Sequence, residues 1–132
     1  MGSNRTISFQ IGGMLFEYDE EKNKKNILKH GIDFRIAARV FFDYDRIEYV
    51  DEQHSGDERR FNTIGDTSAG GLHCDSTIIG KPLGGKFVND ILFVVYTDRV
   101  RVNENGKNVD VTRIISARFA TNFERGVYYG KC

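Results

Sequence analysis

The sequence has no tryptophan, a single proline, two cysteines and no excess of either charge: 19 Lys and Arg balance 19 Asp and Glu over 132 residues. Each shortage removes a class of function. Cys74 and Cys132, one in a glycine-rich segment and one at the final position, form neither a disulfide framework nor a metal-ligand spacing, so a reducing, cytosolic setting is expected. A formal net charge of zero gives no global attraction to nucleic acid, and any such partner must be met by a local basic patch. No apolar run approaches the roughly 18 residues of a membrane span, and the chain does not open on the long apolar stretch of a signal peptide. A membrane partner is not expected.

What is present is material for a core. Hydrophobic residues make up 39% of the chain, with ten Phe and six Tyr, enough for one domain over residues 1–132. At its start, TISFQIG alternates Ile7, Phe9 and Ile11 with polar residues. Gly12-Gly13 then either turns the chain into MLFEY as a hairpin, or belongs to an N-terminal extension over residues 1–13, ahead of a natural start at Met14. Asp19 is placed to cap a helix through about His30, with Glu20 and Glu21 at its positive end, Lys29 and His30 at its negative end and Gly31 as the stop. Asp33 caps a second helix, in which Phe34, Ala37, Ala38 and Phe41 form an apolar stripe for packing on a sheet.

Strands are predicted from Arg46, Arg59, Ile91 and Val109, where Val, Ile, Tyr, Phe and Thr accumulate. Asn105-Gly106 joins the last two as a hairpin, and Thr121 with Glu124 forms a capping box for a closing helix. The expected fold class is α+β: two N-terminal helices packed on an antiparallel sheet, a short C-terminal helix, and the other sheet face left as a working surface. Residues 66–90, with Gly70-Gly71, Gly80, Pro82 and Gly84-Gly85, are too long for a tight connection and are read as a flexible insertion. His73-Cys74-Asp75 within it lacks the four ligands of a structural zinc site, and no metal is expected.

Two stretches carry the functional signal. Helical spacing puts Lys22, Lys25, Asn26 and Lys29 on one side of the first helix and Ile27, Leu28 and Gly31 on the other. Such a basic face is either simply solvated or holds phosphates as point charges. In RIISARF, strand alternation gives Ile114, Ser116 and Arg118 one face and Arg113, Ile115 and Ala117 the other. An arginine on a sheet face is either paired, with Glu48, Asp51 or Glu124 as candidates, or aimed into a cleft where its fork suits a phosphate.

Taken together, FEYDEEKNKKNILKHGIDF, a helix ending in VFFD, the ERRFNTIG strand, LFVVYT, and RIISARFAT followed by Glu-Arg and a Tyr resemble the BrnT toxins of bacterial type II toxin–antitoxin modules over most of Phe16 to Tyr128. The resemblance implies a compact RelE-like fold and a ribonuclease that arrests translation. It also implies a BrnA antitoxin that neutralises the toxin and connects it indirectly to operator DNA. Residues before Met14, the 66–90 segment, the longer hairpin at Asn105-Gly106 and the neutral charge depart from the family's pattern.

Metal-independent RNA cleavage needs a base for the 2′-hydroxyl, cations for the phosphorane-like transition state and a proton donor for the leaving oxygen. His30 and His54 are the imidazoles best suited to proton transfer, with Tyr96 or a lysine as slower substitutes. Arg118, Arg113, Arg59, His30 and Tyr96 are therefore the catalytic candidates, and Lys22, Lys25, Lys29 and Arg60 the RNA-binding ones, with no cofactor. The competing readings are structural: His30 satisfying helix-end carbonyls, His54 as a loop residue, Tyr96 as core. A catalytically inactive relative that binds RNA or an antitoxin through the same surfaces is the alternative function.

Overall fold

The computed structural model describes residues 5–68 and 90–130. Their elements are β1 (Thr6–Ile11), β2 (Met14–Asp19), α1 (Glu20–His30), α2 (Phe34–Ala37) continued by a 3-10 turn (Ala38–Phe42), β3 (Ile47–Val50), β4 (Phe61–Asp66), β5 (Ile91–Val102), β6 (Asn108–Phe119) and α3 (Asn122–Gly130). Six strands form one sheet in the order β1-β2-β6-β5-β4-β3.

This arrangement overturns the expectation of two N-terminal helices packed on an antiparallel sheet in a RelE-like fold. The sheet is mixed, because β2 runs parallel to β6 while every other pair is antiparallel. The first described element is the β1–β2 hairpin, turned by Gly12 at φ 58°. The class remains α+β, with one long helix, α1, following that hairpin.

Local chemistry sets the helix ends. Asp19 accepts from the backbone N–H groups of Glu21 and Lys22, and Gly31 closes α1 at φ 74°, a left-handed conformation that suits glycine. Asp33 caps α2 through the Arg35 N–H. At α3 the capping box is reciprocal: Thr121 N–H donates to Glu124 and Glu124 N–H donates to the Thr121 hydroxyl. The β5–β6 hairpin turns through Asn103, whose side chain accepts from the Asn105 and Lys107 N–H groups, with Gly106 at φ 77°.

One sheet face is closed by α2 and the 3-10 turn. Phe34, Ile36, Ala37, Ala38, Val40 and Phe41 meet Phe16, Tyr18, Leu92, Val94, Tyr96 and Ile114 in the main core. The stripe of Phe34, Ala37, Ala38 and Phe41 is buried as a helical turn would bury it, although only the four residues Phe34–Ala37 form regular helix before the chain tightens into the 3-10 turn. At Gly65 the packing leaves no room: an added Cβ would lie 2.9 Å from Val40 Cβ and 3.1 Å from its carbonyl oxygen. Gly65→Ala is expected to cost about 1–3 kcal/mol through overpacking, read as a lower melting temperature with the fold retained.

α1 contributes differently from the sequence reading. Its buried residues are Asn23 and Asn26, while Leu28 is 88% exposed. Asn26 does not join the basic face with Lys22, Lys25 and Lys29. Its amide donates to Ala117 O at 2.8 Å and accepts from Ala117 N–H at 3.2 Å, serving the edge of β6 where a neighbouring strand would otherwise pair. The helix thus seals a strand edge rather than covering the sheet with an apolar stripe.

Thr67 and Asp90 exchange hydrogen bonds, so the two sides of the intervening segment start and finish together. The insertion expected over 66–90 and the His73-Cys74-Asp75 cluster otherwise lie outside the described residues. No helix among the described residues is long and apolar enough to cross a membrane.

Candidate functional site

Among the described residues the other sheet face is open except at one end, where α3 lays Tyr128 over Ile64, Ile91 and Phe93. Cross-strand register arranges this face in rows. Tyr49, Asn62, Val95 and Ser116 are successive partners across β3, β4, β5 and β6; Ile47, Ile64, Phe93 and the neighbouring Arg118 make the next row toward α3. On the other side, Thr97 and Arg113 are partners, and Arg113 in turn faces Glu17 of β2.

A register shift between Val95 and Tyr96 decides which side chains reach this face. Val95 pairs with Ser116 but Tyr96 pairs with Ile114, leaving Ile115 as an extra residue on β6. Plain alternation had put Ile114 with Ser116 and Arg118, and Arg113 with Ala117. With the bulge, Ile114 and Ala117 both enter the core, and Arg113, Ser116 and Arg118 all share the open face.

The middle row floors a cavity of about 660 Å³, walled by the residues 51–54 that leave β3 and by Arg60 and Arg118. Arg118 is oriented from two directions. Its guanidinium stacks over Phe93 at 4.1 Å and makes a bidentate pair with Glu124 of α3 at 2.8 and 2.9 Å. Burial alone would raise the Glu124 carboxyl, but the hydrogen bonds from Arg118 and the Thr121 backbone and the guanidinium charge hold it below the ordinary value. Arg60 lines the same cavity and has no ion-pair partner among the described residues. His54 completes the wall: Nδ1 lies 3.0 and 3.1 Å from the two Asp51 carboxylate oxygens, and the ring is 65% exposed. Ser55 braces this turn, donating its hydroxyl to Asp51 O and accepting from Arg60 N–H.

The remaining sequence candidates lie elsewhere. Arg113 is on the open face but engaged with Glu17 at 2.7 Å, in a cluster that also holds Arg101 at 2.6 Å and Arg99 at 3.8 Å. Tyr96 belongs to the opposite face, packed against Phe41 and Phe61, and donates its hydroxyl to Glu48. Burial and that carboxylate raise its pKa far above the ordinary phenol value, so it is a poor proton donor at neutral pH. His30 ends α1 outside the cavity lining, its pKa lowered by burial and by the charges of Lys29 and Arg118. Lys22, Lys25 and Lys29 are exposed on α1, and Arg59 is exposed with its carbonyl accepting from Thr97; none of the four lines the cavity.

Of the residues singled out from the sequence, Arg118, Arg60 and His54 line this cavity together; beside them stand Asn62, which the sequence reading did not name, and Asp51, which it offered only as an arginine partner. Asp51-x-x-His54 is a spacing at which a turn brings carboxylate to imidazole, and Asn62 interrupts an otherwise β-favouring strand in which asparagine is unusual.

Residues 18–79 match the family model described as the ribonuclease toxin BrnT of type II toxin–antitoxin systems. Over that span the chain is similar to BrnT. The match includes β3, β4 and the turn between them, and so Asn62, Arg60, His54 and Asp51, while Arg118 and Glu124 lie beyond it. No curated protein matches the chain. What the BrnT model supports is the function of a ribonuclease toxin at the level of the family.

Proposed function

We propose that the protein is the toxin of a type II toxin–antitoxin module, a metal-independent endoribonuclease that stops translation by cutting RNA in the open-face cavity. The observation that carries this reading is the convergence of His54–Asp51, Arg60 and Arg118 on one concave surface. Asp51 holds His54 so that Nδ1–H faces the carboxylate and Nε2, which has no partner among the described residues, is free to accept a proton. Nε2 takes the proton of the 2′-hydroxyl; the 2′-oxygen forms a bond to phosphorus as the bond to the 5′-oxygen breaks. The leaving 5′-oxygen takes a proton from solvent water, His54 later gives up the proton it took, and the products are a 2′,3′-cyclic phosphate and a free 5′-hydroxyl. Arg118 and Arg60 stabilise the charge that builds on the phosphoryl oxygens.

A BrnA-like antitoxin is the partner of this reading, binding operator DNA itself and carrying the toxin with it. The exposed Lys22, Lys25 and Lys29 then extend the electrostatic reach for RNA beyond the cavity. The bidentate pair of Arg118 with Glu124 favours a second reading, an inactive module in which that arginine only braces α3. Cleavage separates them. Purified protein freed of any partner should cut single-stranded RNA in the presence of chelator, leaving cyclic phosphate ends. His54→Ala should slow cutting about a hundredfold, with Asp51→Asn less affected. Intact RNA with the unaltered protein, or undiminished cutting by His54→Ala, removes His54 from the mechanism or the mechanism altogether.

A further inference from the structure

At the floor of the cavity, Asn62 is only 6% exposed, and its Oδ1 is buried without a hydrogen-bond donor among the described residues. Buried carbonyl oxygens are nearly always satisfied, and leaving one orphaned destabilises the free protein. Asn62 stands in the middle of the row Tyr49–Asn62–Val95–Ser116, so its side chain comes up on the cavity side of the sheet. The Tyr49 hydroxyl is close enough to interact with the Asn62 side chain, and the Tyr49 ring is 45% exposed on the edge strand. Beside them Val95 and Ile115 supply a flat apolar floor.

From this geometry we infer that the cavity contains a nucleobase subsite in which Asn62 reads the base: its Oδ1 accepts a hydrogen bond from an N–H on the base edge while the Tyr49 ring turns aside and stacks. The inference rests on the ribonuclease reading and deepens it, making Asn62 a specificity-determining residue. Its physical logic has three parts. A planar ring needs an apolar floor and an aromatic neighbour, which Val95, Ile115 and Tyr49 provide. An orphaned acceptor rewards a ligand that brings a donor and penalises one that brings a second acceptor. The cations that would hold the attached phosphate, Arg60 and Arg118, stand on the walls of the same cavity, so base and phosphate are read together.

The experiment is calorimetric titration of the full chain with the four ribonucleoside 3′-monophosphates and with ribose 5-phosphate, beside cleavage of RNAs varied at the cut site. The unaltered protein should bind the preferred nucleotide at least about tenfold more tightly than the least preferred, and cut with the same preference. Asn62→Leu, of similar size and without polar atoms, should reduce that spread to within about twofold while raising the melting temperature, since the orphaned oxygen is gone. Asn62→Thr, which suits a strand but lacks the carboxamide, should collapse the spread in the same way and serves if the leucine variant fails to fold.

A spread within twofold in the unaltered protein, with nucleotides still bound, overturns the base-reading inference and leaves the ribonuclease reading intact. So does a spread that survives both substitutions. If neither nucleotides nor ribose phosphate binds and RNA stays whole, the ribonuclease reading itself falls and takes the inference with it.

Discussion

Arg118→Ala is expected to slow RNA cleavage about a thousandfold, or on the order of 4 kcal/mol of transition-state stabilisation, and to relieve growth arrest on expression. Stacking on Phe93 and the two bonds to Glu124 hold the guanidinium still at the cavity wall, so its charge needs no reorganisation when the phosphate reaches it. The same pair gives the mutation a structural cost. With Arg118 about one-third exposed, that cost is about 1 kcal/mol. Glu124→Gln separates the two effects: glutamine can keep the capping contact with Thr121, the ion pair is lost equally, and the cation stays. Both variants should melt slightly lower, but Arg118→Ala should lose far more cleavage than Glu124→Gln, which keeps the cation and its stacking on Phe93 and gives up only part of its orientation. Equal losses of cleavage, or near-normal cutting by Arg118→Ala, would make Arg118 a brace for α3 and favour the inactive-module reading.

The second large effect concerns Glu17, which is 2% exposed and surrounded by cations. It accepts from Arg101 at 3.0 and 2.6 Å and from Arg113 at 2.7 Å, with Arg99 at 3.8 Å and itself paired with Glu58. Removing the carboxylate charge leaves the guanidinium groups of three strand residues facing one another without their shared partner. Glu17→Gln should therefore cost about 3–5 kcal/mol and lower the melting temperature by roughly 10–20 °C. A loss below about 1 kcal/mol in chemical denaturation would show that the arginines find water as readily as they find Glu17.

Acid should reveal the same group. Burial raises the Glu17 pKa, but the hydrogen bonds and charges of Arg101 and Arg113 outweigh it and leave the folded value below the ordinary 4.5. Above 4.5 the ion cluster contributes in full. Between that value and the lower folded one, the unfolded chain takes up a proton that the folded chain refuses, so stability falls with falling pH. In Glu17→Gln this part of the acid dependence should be missing, and stability measured below pH 4.5 should fall less steeply than in the unaltered protein.

Arg113 shows why candidate phosphate-binding arginines cannot be told apart from spacing alone. In sequence, Arg113 and Arg118 are two cations on one strand, equally suited to phosphate. Their difference comes from neighbours far along the chain: Glu17 for Arg113, and Phe93 with α3 for Arg118. Tyr96 and His54 make the same point in opposite directions. The phenol sits on the core side with Glu48, while the loop imidazole stands at the cavity with Asp51.

The sequence by itself determined what is decided within a few residues. The Asp19 and Asp33 caps, the Gly31 stop, the Thr121–Glu124 capping box and the turn at Gly106 each close hydrogen bonds over four residues or fewer, so residue type and spacing suffice. Tertiary structure alone decided the parallel β2–β6 pairing, the Asn26 bonds to a backbone 91 residues away and the bulge at Ile115. The physical reason is that alternation predicts faces only while the register is unbroken, and both register and partner are set by which distant strands bury their apolar sides together. One extra residue on β6 moved Ile114 into the core beside Ala117 and left Arg113, Ser116 and Arg118 on the face that Asn62, Arg60 and His54 complete.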